Sequence, residues 1–290
     1  MKDLFTEHIQ KANGLKTRIN RFYLIVSFLF FLTQLNGQEN IDSLIFWSNK
    51  MLNDTSEGNR IEAFREVRNN LIYLLNQNKN SFNIDFSRLK SISSLQSEDE
   101  KCRIITYNLR RKDDTYFYGG ILQVYNPKTK QYDIKELSDI SSEINKPTSQ
   151  VLNDNKWFGA LYYNLWVVKY KKQKYYMLLG WDGNTAFSNK KLIDVFYFNN
   201  KNEVQFGAPI FEYNKKIQHR VFFEHAERVT MSLKLQASSG KIIFDHLAPN
   251  QSSLEGQYEF YSPDFTTDAF EFKKGKWRLI TNYEVRNEKK

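Results

Sequence analysis

From Cys102 onward, apolar and polar residues alternate with a period of two. Runs of this kind cover 102–109, 115–125 and 131–137. They are broken by Arg111-Lys112-Asp113-Asp114 and by Asn126-Pro127-Lys128-Thr129-Lys130, residue types that build hairpin turns. A polar connector occupies 138–156, with a helical turn expected before Pro147. Alternation then resumes over 157–170, 174–180, 190–198 and 203–206, and again over 217–225, 229–235, 241–247, 256–261, 269–272 and 276–283. Short strands at near-regular spacing, with no long helix between them, predict an antiparallel β domain over 81–290. Its edges need closure or packing. A β-meander is therefore expected, sandwich- or barrel-like or grouped into small propeller-like blades. No repeated signature fixes a period.

Ahead of that domain the period becomes helical. Asn40 is placed to cap a segment carrying Ile41, Leu44, Ile45, Met51 and Leu52. Asp54 with Glu57 resembles a capping box in which Asp replaces Ser or Thr. Ile61, Phe64, Val67, Leu71 and Leu75 follow at helical spacing, so 38–80 is read as a helical hairpin packed on the β domain. Residues 81–101 read as a loop or weak strand. At the front, Arg18 and Arg21 precede the apolar run FYLIVSFLFFLTQL, which is short for a membrane span of about 20 residues. Residues 1–37 are thus read as a signal peptide, with cleavage after Gly37. Translation starting nearer Leu15 and an uncleaved anchor stay open as alternatives. No cysteine stands at the junction, so lipoprotein processing is not expected. The predicted destination is the periplasm or the exterior, with no membrane span after cleavage.

Composition adjusts this picture in three ways. Aromatics make up 16% of the chain, with 17 Tyr and 23 Phe, which suits pleated, half-buried surfaces. The formal charge is +9; residues 1–37 hold five Lys/Arg and two Asp/Glu, so their removal leaves +6. The basic clusters, at Arg110-Arg111-Lys112, at 169–174 and at Lys273, Lys274 and Lys276, fall where hairpin turns are expected. A nucleic-acid groove needs basic and stacking groups on one surface, so no nucleic-acid partner is expected. The single cysteine, Cys102, excludes an intrachain disulfide and sits in a run where a small buried residue fits.

The candidate chemistry is sparse. The corner Gly180-Trp181-Asp182-Gly183-Asn184 holds a large aromatic beside an acid, and binding is assigned to Trp181, Asp182, Asn184 and Asp194. Asp182 and Asn184, helped by Ser188 and Asp194, can offer oxygens to Ca2+. The spaced upstream acids of a calcium loop are missing, so a turn is expected and no metal or cofactor is assigned. Asp245 and His246 are strand neighbours facing opposite ways, so each needs a partner elsewhere. With Asp264 and Asp268 they form the set on which a glycan-directed hydrolase would draw, because paired carboxylates suit glycoside hydrolysis. No nucleophile elbow, phosphate loop or dinucleotide fingerprint is present. Aromatics along 157–181, where they face outward, make a stacking surface for a sugar or a protein.

The phrases WFGALYYNLW, YYMLLGWDGN, KKLIDVFYF, FGAPIF, RVFFEH, MSLKL, IIFDHLAPN, GQYEFYSPDF and DAFEFKKGKW resemble a group of secreted Bacteroidota proteins with no assigned activity. The likeness spans about 157–287 and extends more weakly over 102–123. It implies export into a Gram-negative envelope and transfers no catalytic residue. The expected function is a non-catalytic envelope protein, either structural or binding a glycan or protein ligand through aromatic loops. A glycan-directed hydrolase is the alternative.

Overall fold

Successive side chains of a strand point to opposite faces, and in the central strands of the first two sheets both faces are buried. The computed structural model describes residues 41–78 and 80–284; the expected signal peptide lies outside them. Two helices come first, residues 41–53 (α1) and Glu57–Gln77 (α2). Fifteen strands follow. β1 (Ile92–Gln96), β2 (Cys102–Arg110), β3 (Tyr116–Asn126) and β4 (Gln131–Leu137) form a four-stranded antiparallel meander. β5 (Leu161–Tyr170), β6 (Gln173–Asp182), β7 (Ser188–Phe198) and β11 (Val221–Ala226) form a second sheet, with β8 (Val204–Phe206) paired to one end of β7. The third sheet has the order β10-β9-β15-β14-β13-β12. Its strands are β9 (Phe211–Tyr213), β10 (Lys216–Gln218), β12 (Leu233–Gln236), β13 (Lys241–Pro249), β14 (Tyr261–Lys273) and β15 (Lys276–Ile280). All pairings are antiparallel except that of β15 with β9.

These elements stack as helices, first sheet, second sheet and third sheet, and alternation sorts side chains between the layers. On β2, Ile105, Tyr107 and Leu109 pack under the helices with Val67, Leu71 and Leu75. Ile104, one residue away, joins Leu122, Tyr162, Leu178 and Phe196 between the first two sheets. On β6 and β7, Met177, Leu179, Ile193 and Val195 face the third sheet and meet Ile242, Phe244, Phe270 and Trp277. The second sheet is therefore covered on both faces. No sheet among the described residues closes on itself, so the layered form of the predicted meander is the one adopted and the barrel is not. Among the described residues, no helix is long and apolar enough to cross a membrane.

Four local differences from the sequence expectation have physical reasons. Ser56, not Asp54, is the N-cap of α2; Asp54 accepts from Ser56 N–H at 2.8 Å and from Asn59 Nδ2. Residues 256–260 do not make a strand: 251–260 are exposed apart from half-buried Leu254, so this stretch has no face to bury. β14 instead begins at Tyr261, and its register against β13 jumps from Thr267 to Pro263, looping out Asp264, Phe265 and Thr266. Asp194, assigned to binding, is fully buried. Its Oδ1 lies 3.1 Å from Arg220 Nε, also fully buried, and its Oδ2 accepts from Tyr162 Oη at 3.1 Å. Arg220 Nη1 donates to the carbonyls of Pro147 and Gln150, so the pair pins the polar connector to the second sheet.

Candidate functional site

A cleft of about 450 Å3 opens where the end of β6 meets the start of β3. Tyr116 and Tyr118 reach it from β3, Asp182 from the last position of β6 and Asn184 from the turn that follows. Lys190 comes from β7 and Asp139 from the connector after β4. A smaller hollow of about 300 Å3 shares Phe117, Tyr118 and Asp139 with it and extends to Phe64, Arg68 and Glu136, beneath α2. Cavities of this size are in the range of small-ligand sites.

Two glycines permit the approach. A Cβ on Gly183 would lie 2.1 Å from the Tyr116 ring, and one on Gly159 would lie 2.5 Å from the Asp139 carboxyl. The rings are held too. Trp181 stands edge-on to Tyr116, with centroids 5.3 Å apart at 89°. Trp181 thus backs the cleft from behind Tyr116 and does not line it.

Asp182 is 8% exposed. Its Oδ1 accepts from Tyr118 Oη at 3.0 Å and from Asn184 N–H at 3.0 Å. Gly183 N–H donates in turn to Tyr118 Oη at 2.8 Å. Oδ2 has no protein donor among the described residues. Burial pushes the Asp182 carboxyl above its ordinary value; the Asn184 N–H and the Lys190 charge pull it down, and Asp139 nearby adds to the rise. Asp139 is itself held by Ser141 N–H at 2.9 Å, by the Ser141 hydroxyl and by Gly159 N–H at 3.1 Å. Burial also raises the Tyr118 and Tyr116 phenols, which stay protonated donors.

The turn is not arranged for calcium. Lys190 Nζ donates to Asn184 Oδ1 at 2.5 Å, while Asn184 Nδ2 donates to Ser188 Oγ and Glu224 Oε1. An ammonium group therefore occupies the oxygen a metal would need. Among the described residues, no group of three His, Cys, Asp or Glu converges to hold a metal. Cys102 is buried and its thiol is pushed up to about 12, mainly by desolvation, so it is no nucleophile.

The C-terminal candidates lie elsewhere, and neither hollow is lined by them. His246 does find an acid: its Nδ1 lies 2.8 Å from Asp268 Oδ2. Asp268 is 4% exposed and its Oδ1 accepts from Asn282 N–H at 3.0 Å. Asp245 accepts from Ser232 N–H at 2.7 Å. Asp264 accepts from the Thr266 hydroxyl and N–H within the looped-out segment, and the Thr266 hydroxyl holds it below the ordinary range. Each carboxylate thus serves a local hydrogen bond.

Of the four predicted binding residues, Asp182 and Asn184 line the cleft, Trp181 supports it and Asp194 is core. Tyr116, Tyr118, Asp139 and Lys190 went unassigned from sequence. Tyr116-Phe117-Tyr118 carried a usable signal: alternate tyrosines that share one face of a strand. Comparison with protein-family models, with curated proteins and with solved structures finds no match to this chain.

Proposed function

We propose that the protein is an exported, non-catalytic binding protein of the cell envelope whose cleft takes a glycan. The carrying observation is Asp182: a carboxylate held almost out of water, with one oxygen satisfied by protein donors and the other without one. That oxygen keeps contact with solvent, and a sugar hydroxyl is a donor suited to it. Tyr116, in contact with Trp181, offers an aromatic ring for a sugar, and Lys190 and Asp139 add further polar partners. The apolar run at 22–35 and the resemblance to secreted Bacteroidota proteins support export.

Glycan-array binding by residues 38–290 is the test. Binding of a defined glycan set that is lost in Asp182→Asn and weakened in Tyr116→Ala is expected. Uniformly null arrays would overturn the glycan reading in favour of a structural or protein-binding role. A glycan hydrolase is the second reading, favoured by one observation: Asp182 and Asp139 line the same cleft. Release of reducing sugar from any bound glycan, abolished by Asp139→Asn, would establish it over simple binding.

A further inference from the structure

On the first sheet, away from the glycan cleft, Arg103 of β2 is 2% exposed. Its Nε donates to Ser94 Oγ at 2.7 Å. Nη1 donates to the carbonyls of Ser81 at 3.2 Å and Phe82 at 2.9 Å, and Nη2 to that of Ile84 at 2.7 Å. The Phe86 ring covers one face, 4.4 Å from Cζ. A guanidinium carries five N–H groups. Four are met here, all by uncharged oxygens, which leaves one on Nη2.

No ion pair among the described residues involves Arg103. Asp85 acts on it only through space, and the Asp85 oxygens accept from Ser87 N–H and Oγ. Desolvation accordingly lowers the guanidinium to about 10. A buried cation without a paired anion is unfavourable, and proteins normally supply one. A cavity of about 570 Å3 opens directly onto Arg103. Ile84, Phe86 and Leu89 are among its apolar lining residues; Lys90, Ser94, Gln96 and the Asp85 carboxylate, which Ser87 holds, are among its polar ones.

We propose that this cavity binds a small organic anion, with its carboxylate or phosphate group at Arg103 and Lys90 and an apolar or ring body against Phe86 and Leu89. Arginine suits this role because its fork matches both oxyanions. The charged head and the apolar wall together select an amphiphilic acid over a simple inorganic ion.

Calorimetric titration at constant ionic strength, with benzoate, phenyl phosphate, inorganic phosphate and neutral benzyl alcohol as probes, tests the proposal. Benzoate or phenyl phosphate binds, and the tighter of the two identifies the head group. Inorganic phosphate binds more weakly, and benzyl alcohol does not bind. Lys90→Gln, at an exposed position, weakens binding about fivefold, the scale of one solvent-exposed ion contact. Arg103→Lys, which keeps the charge but not the fork, weakens it by about tenfold or more. Should Arg103→Lys fail to fold by circular dichroism, Lys90→Gln and Ser94→Ala carry the decision. The idea is overturned if neither ring-bearing anion binds, if benzyl alcohol binds equally well, or if these substitutions leave binding unchanged. Asp182→Asn leaves anion binding intact, so failure here is separate from failure of the glycan reading.

Discussion

Asp182 illustrates how a residue can be kept against its own effect on stability. Burial raises its carboxyl above the unfolded value, so the folded chain holds the proton to higher pH. The stabilisation this brings is fully present below the unfolded value and is lost as pH rises through the folded one. At neutral pH the buried charge is a burden that Asp182→Asn removes while keeping an acceptor for Tyr118 and Asn184. Asp182→Asn should therefore melt higher than the native protein at pH 7, with the gap closing toward pH 3 in paired thermal scans. A lower melting point for Asp182→Asn at pH 7 would contradict the burial account. Asp194 behaves oppositely. Its charge is matched by Arg220, both fully buried, so Asp194→Asn strands a buried guanidinium. A loss of about 3 kcal/mol or more is expected by urea denaturation. A loss below about 1 kcal/mol would mean that Arg220 finds other support.

The elements that position the cleft depend on close approach. The turn after β6 can lie against β3 only because Gly183 has no side chain beside Tyr116. Gly183→Ala should fold with near-native circular dichroism, displace the Tyr116 ring and weaken glycan binding by about tenfold or more, about 1.4 kcal/mol. Unchanged affinity would separate Tyr116 from the site. Strands β2, β3, β4, β6 and β7 were legible as apolar and aromatic runs bounded by turn residues, although β2, β3, β6 and β7 are buried on both faces. The start of β14 was not, since a looped-out bulge at Asp264–Thr266 hides its period. A third of the site was also readable: Asp182 and Asn184 stand in a conspicuous corner. Tyr116, Asp139 and Lys190 come from other strands and connectors, and only the stacking of two sheets brings them to that corner. Asp194 misled for the same reason. An acid two residues from apolar Leu192 and Phe196 on β7 shares their buried face, and its partner Arg220 is 26 residues away.

Across the whole molecule, the second sheet is the shared element: one face closes the core against the first sheet, the other the core against the third. Trp157 reports on the first of these cores and Trp277 on the second. Because the layers share strands, tryptophan fluorescence and far-ultraviolet circular dichroism should trace coincident urea transitions, whereas independent layers would separate them. The three basic clusters lie at separate hairpin ends, one in each sheet: between β2 and β3, between β5 and β6, and between β14 and β15. Two of them carry local ion pairs, Arg110 with Asp114 and Lys273 with Glu271. The cleft at the junction of the first two sheets gathers polar and aromatic groups from several elements. The most direct test is calorimetric titration of the glycan selected by the array into native protein and Asp182→Asn in parallel. Saturable binding to the native protein, with affinity reduced tenfold or more in Asp182→Asn, is the expected result. Equal affinity for both proteins would contradict the assignment of the cleft as the binding site.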